Sequence, residues 1–187
     1  SHITFRNLSF KALNQSAGRL IGLGINTSNI NIENNIFTGI NISSFSTGYA
    51  IINSGDVALD SISILNNKFE FGSFAIRLYC NSVTGSVVVV QYNDCVSQSN
   101  RSILLDNISD INIQNNKMDN QYYFAYGIIV ARAMQPIRIT ENRIRSRLGI
   151  LLTNSISTGD GALIANNFIN VVGTPDTLYS TALGIRI

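Results

Sequence analysis

Apolar residues along this chain recur in short two-fold alternations, not in the three-and-four spacing of an amphipathic helix, and the alternations themselves repeat. Residues 30–37 (INIENNIF) and 62–69 (ISILNNKF) share one pattern: apolar, any, apolar, any, any, Asn, any, apolar. Residues 88–95, 111–118, 137–144 and 162–169 fit it too, and residues 3–10 fit with Leu8 in the asparagine place. The asparagines concerned are Asn35, Asn67, Asn93, Asn116, Asn142 and Asn167, at spacings of 32, 26, 23, 26 and 25 residues.

A second alternation follows each asparagine segment after a loop of variable length: Ile21 and Leu23, Ala50 and Ile52, Ile76 and Leu78, Ile103 and Leu105, Ile128 and Val130, Ile150 and Leu152. The residue two after each asparagine implies a third short strand, with Phe37, Phe69, Cys95, Met118, Ile144 and Ile169 as its apolar member. Such a period is too long for a hairpin meander, so each repeat is expected to form one turn of a solenoid. Equivalent residues then stack about 4.8 Å apart in columns along the axis. Asparagine suits the corner twice over. It tolerates left-handed backbone angles, and its amide carries both a donor and an acceptor, so stacked copies bond to one another as in other asparagine ladders.

The six in-register asparagines and the three alternations per repeat resemble the right-handed parallel β-helix superfamily, which includes pectate lyases, polygalacturonases, phage tailspikes and large secreted bacterial surface proteins. The resemblance implies an all-β fold: a right-handed, single-stranded parallel β-helix of about seven coils with an internal asparagine ladder. It spans nearly the whole chain, so residues 1–187 are expected to be one domain, cut from a longer protein through the strand-like runs at residues 3–5 and 185–187. Function does not follow from the fold, which hosts enzymes, adhesins and spacers alike.

Composition narrows the partners. Of 187 residues, 45% are hydrophobic and 13% charged, with net charge +2, enough apolar surface for a core. The one dense basic run, Arg143, Arg145 and Arg147, is short of the stripe that phosphate neutralisation needs, so no nucleic-acid partner is expected. No apolar run approaches the roughly 20 residues of a membrane span. Cys80 and Cys95 are open to a disulfide in an exported protein, but the preferred expectation is two buried thiols, with Cys95 in a core column.

Chemistry is sought where the superfamily's enzymes usually keep their cleft, on the outer face of the strand after the long loop. Its outward residues are expected to be Gly22, Ile51, Arg77, Leu104, Ile129, Leu151 and Arg186, none a carboxylate. Hydrolysis of a glycosidic bond needs two carboxylates about 5 to 9.5 Å apart. Asp106, at the end of one such strand, has Tyr79 and Ala131 as expected neighbours. The superfamily's hydrolase signatures are missing, and its lyases' calcium would need converging aspartates where the aspartates here fall on different columns. Expected, therefore, are no catalytic residue, no metal site and no cofactor.

Three features remain. Lys68, Asp94, Lys117 and Arg143, with Asp119 and Arg145, are expected to form cross-strand pairs on a solvated face. Phe45, Tyr49, Phe74, Tyr122, Tyr123, Phe124, Tyr126 and Tyr179 are expected to concentrate in the variable loops, where rings either close the flank or offer platforms to sugars and proteins. Leu104, Ile129 and Leu151 form an apolar stripe about 10 Å long, and such patches mark covered surfaces. With Tyr122, Tyr123 and Tyr126, these three are the candidate contacts. The expectation is a non-catalytic structural or adhesive module, extracellular or on a bacterial cell surface. It resembles β-helical cargo of the type IX secretion route, with other domains or chains of a surface assembly, or a polysaccharide, as partners. The alternatives are part of a polysaccharide lyase, hydrolase or epimerase whose site lies outside this chain, and a phage tailspike segment.

Overall fold

The computed structural model describes residues 2–14, 18–81, 86–120, 122, 125–134, 136–155, 161–172 and 183–187. These residues form a parallel β-solenoid with three sheets of seven strands and no α-helix. One coil contributes one strand to each sheet. Asp110–Gln114 goes to sheet A, Lys117–Asp119 to sheet B and Tyr126–Ala131 to sheet C before the chain returns to sheet A at Ile137–Thr140. The solenoid makes about six turns where seven coils were expected, since seven strand levels are separated by six steps.

The inward columns follow the alternation. In sheet A, Ile30, Ile62, Val88, Ile111 and Ile137 are in register, as are Ile32, Ile64, Val90, Ile113 and Ile139. In sheet B the column runs Phe10, Phe37, Phe69, Cys95, Met118, Ile144, Ile169. The three phenylalanines stack nearly parallel, with centroids 4.9 and 5.0 Å apart, because strand spacing and ring-stacking distance coincide. Cys80 and Cys95 are buried and free, and burial pushes the Cys95 thiol up.

The asparagine corner between sheets A and B separates two jobs that the sequence suggested one residue does. The left-handed angle belongs to the residue before each ladder position: Asn7, Asn34, Asn66, Tyr92, Asn115, Glu141 and Asn166 all have φ of 53 to 60°. The ladder residue itself is thereby aimed inward. Each amide Nδ2 donates to the Oδ1 of the next asparagine, at 3.0, 3.1, 3.0, 3.0 and 2.9 Å from Asn35 to Asn167. The same Oδ1 accepts the preceding asparagine's backbone N–H at 2.9 to 3.0 Å. Leu8, with no amide, still sends its N–H to Asn35 Oδ1 at 2.9 Å.

The corner between sheets B and C repeats the arrangement for two coils. Phe71 and Ser97 are left-handed, at φ 63 and 61°. Gln98 follows, its N–H on Asn120 Oδ1 at 3.1 Å and its Nε2 on the carbonyls of Phe69, Phe71 and Val96. This second polar stack was not anticipated, because it occupies only two levels and mixes Gln with Asn.

Sheet C corrects one register. Ile52, not Ala50, pairs with Ile76, so Asn53 and not Ile51 joins Gly22 and Arg77 in the outward column. Ile51 is fully buried. It packs where Gly39 and Gly72 leave space, since a Cβ on either would lie 3.2 or 3.1 Å from its side chain. At the same level farther along stand Ala75, Ser102, Gly127 and Gly149. They are small because the start of sheet C runs against sheet B: a Cβ on Gly127 would meet Ile144 Cγ2 at 2.4 Å.

Candidate functional site

The outer face of sheet C gathers the most varied chemistry. Three outward columns cross it. The first holds Ala50, Phe74, Arg101, Tyr126 and Leu148, the second Asn53, Arg77, Leu104, Ile129 and Leu151, and the third Tyr79, Asp106, Ala131 and Thr153. Phe74 and Tyr126 are therefore strand residues and not loop residues.

Arg101 lies among rings. Its guanidinium carbon is 5.4 Å from the centroid of Phe74, 5.5 Å from Tyr126 and 5.6 Å from Phe45, within cation–π range of all three. Its Nε is buried without a hydrogen-bond partner. Burial lowers its pKa, as it does that of Arg77, which the charge of Arg19 depresses further. Arg77 Nη1 donates to Asn53 Oδ1 at 2.9 Å and to the Ser54 carbonyl at 3.2 Å. Arg77 and Arg101 thus stand on neighbouring coils in adjacent columns of one face.

Asp106 is the one carboxylate among the described residues of these columns, and it is engaged. Arg132 Nε donates to its Oδ1 at 2.8 Å and Nη2 to its Oδ2 at 2.7 Å, a fork-to-fork pair. Arg132 also lies over Tyr79 at 5.1 Å, and the Asp106 bond holds its pKa above the ordinary arginine value. Arg132, at φ 50°, follows directly on Ala131, which is in register with Asp106 of the preceding coil. Tyr79 and Ala131 flank Asp106 in register.

Leu104, Ile129 and Leu151 stand side by side on consecutive coils. Ile129 is 5% exposed, while Leu104 and Leu151 are half-buried, so the stripe is open at its two ends and closed at its middle. Tyr122 reaches along the solenoid instead of across it: its hydroxyl donates at 3.0 Å to Asn41, three coils earlier. The Ser99 hydroxyl donates to the Ser44 carbonyl at 3.0 Å, and Phe45 meets Phe74 edge-on at 5.7 Å. The segment around residues 41–46 is therefore a strap along the edge of sheet C that brings Phe45 over Arg101, a feature no local pattern announced. Tyr123, Phe124 and Tyr179 lie outside the described residues.

On sheet B the expected cross-strand pairs form in part. Asp119 and Arg145 meet at 3.4 Å, but Lys68 pairs at 2.6 Å with Glu70 of its own strand, not with Asp94. Residues two apart on a strand share a face, and the longer glutamate reaches where the aspartate does not. Glu70 raises the Lys68 pKa, through its hydrogen bond first and its charge second.

Among the described residues no group of three His, Cys, Asp or Glu could hold a metal ion, and no helix is long and apolar enough to cross a membrane. No family model, curated protein or solved structure matches this chain.

Proposed function

We propose that this chain is a non-catalytic solenoid module of a secreted or cell-surface bacterial protein, one that holds a contact face rigidly and meets a partner through the outer face of sheet C. The observation that carries this reading is the state of that face. Its carboxylate, Asp106, is clamped by both arms of Arg132, while its cations and rings, Arg101 with Phe45, Phe74 and Tyr126, are set for recognition. Glycosidic cleavage needs an acid paired with a second carboxylate, whereas adhesion needs rings, cations and a surface that does not deform. The half-buried Leu104 and Leu151 extend the face toward an apolar partner surface. Extracellular placement and a place among other domains or polysaccharide of a surface assembly belong to the same proposal, supported by the resemblance of the asparagine repeat to such proteins.

The test uses the chain against a panel of polysaccharides and bacterial surface fractions, with binding and product release followed in the same samples. Binding that weakens in Arg101→Ala and Tyr126→Ala, without shortened or unsaturated products, supports the reading. Turnover of any polysaccharide, or binding untouched by both variants, overturns it.

A further inference from the structure

Sheet B carries a second, separate feature. Over its last three levels the outward residues are Lys117, Arg143 and Phe168 in one registered column, and Asp119, Arg145 and Asn170 in the next. Together they line a depression of about 260 Å³.

Its charges do not cancel. Asp119 meets Arg145 at 3.4 Å, but among the described residues no ion pair joins Lys117 or Arg143. Asp94 is in register with Lys117 from the far side and forms no such pair with it. Lys117 and Arg143 are direct cross-strand neighbours about 4.8 Å apart at the backbone, an arrangement in which like charges destabilise each other. An oxyanion between them removes that repulsion. The Arg143 guanidinium lies 6.0 Å from the centroid of Phe168, and that ring is 63% exposed, a large apolar surface left beside cations. A flat ring next to paired cations suits a ligand with an apolar face and an acidic edge, and an acidic sugar ring has both. The depression is of the size of one or two such rings.

We propose that this depression is a subsite for an anionic sugar unit, carboxylated or sulfated, whose acidic group bridges Lys117 and Arg143 while its ring stacks on Phe168. The site lies on a different sheet from the sheet C face and does not depend on that face being a contact surface.

The probes are a hyaluronan tetrasaccharide for carboxylate, a chondroitin sulfate tetrasaccharide for added sulfate, neutral cellotetraose and inorganic sulfate, each titrated calorimetrically and by chemical-shift mapping. The expected result is binding of one or both charged tetrasaccharides. That binding is lost at about 0.5 M salt, where screening reaches only a few ångströms. It falls about tenfold or more in Lys117→Gln and in Arg143→Gln, a loss of about 1.4 kcal/mol or more. Phe168→Ala weakens the tetrasaccharides but not inorganic sulfate, and Arg138→Gln, exposed on sheet A, changes nothing. No binding, equal binding of cellotetraose, inorganic sulfate bound as tightly as the sugars, or loss confined to Arg138→Gln each overturns the proposal, and the last of these assigns the sugar to sheet A instead.

Discussion

Replacing Asn116 by Leu tests the ladder at its centre. The Asn116 side chain is 1% exposed and makes five hydrogen bonds. Its Nδ2 donates to the carbonyls of Val90 and Gln114 and to Asn142 Oδ1, and its Oδ1 accepts both the N–H and the Nδ2 of Asn93. Leucine is close in volume and opens no cavity, so the cost is polar. Two of the stranded partners keep other bonds: Asn93 Nδ2 retains the Ile64 and Gln91 carbonyls, and Asn142 Oδ1 retains the Asn116 N–H. The Asn93 N–H loses the acceptor it has in the ladder, and a buried unsatisfied donor costs about 1 to 3 kcal/mol. With the weakened carbonyls set against the apolar gain of leucine, the net loss stays at about 1 to 3 kcal/mol. For a chain of this length that lowers the melting temperature by roughly 2 to 12 °C. The assay is thermal unfolding followed by circular dichroism, beside Asn115→Gly as a control that keeps the left-handed angle. An Asn116→Leu protein melting within about a degree of the parent would refute the energetic weight given to the ladder.

Further outcomes follow from single positions. Asn115→Val, forcing a β-branched residue to φ 56°, is expected to cost more than 1 kcal/mol, whereas Asn115→Gly is tolerated; comparing their denaturation midpoints checks it. Gly127→Ala, whose Cβ would sit 2.4 Å from Ile144 Cγ2 and 2.7 Å from the Gly149 carbonyl oxygen, destabilises strongly, while Gly24→Ala, with nothing within 4 Å, does not. Asp106→Asn leaves the midpoint of a urea titration nearly unchanged, because Arg132 is half exposed and the pair is solvent-screened. For the buried Cys95 thiol the raised folded pKa means that stability is complete below the ordinary thiol value of 9.0 and falls as pH rises past it, since only the unfolded chain then ionises. Cys95→Ala flattens that alkaline decline, and thiol reagents label neither cysteine until the chain unfolds.

The coil could be read from the sequence because its rules are local and repeated. The alternation aims Ile32, Ile64, Val90 and their neighbours inward, and the recurring asparagine marks one corner at every level, so sheets A and B follow from counting. Sheet C is preceded by loops of unequal length, and there counting failed by two residues at Ile51 and Asn53: both registers satisfy the alternation, and only packing against Gly39 and Gly72 chooses between them. The same limit applies to everything that joins distant coils. Phe45 over Arg101 and Tyr122 on Asn41 depend on how far a loop runs along the axis, and no periodic pattern encodes that distance. Nor does the pattern tell which of two acids a lysine takes, as Lys68 and Glu70 show, because side-chain reach and not register settles it. What the sequence determined by itself is the rod, since each step of a solenoid repeats the one before. What only the tertiary structure decided is the surface chemistry, where residues up to three coils apart in the chain come within a few ångströms of one another.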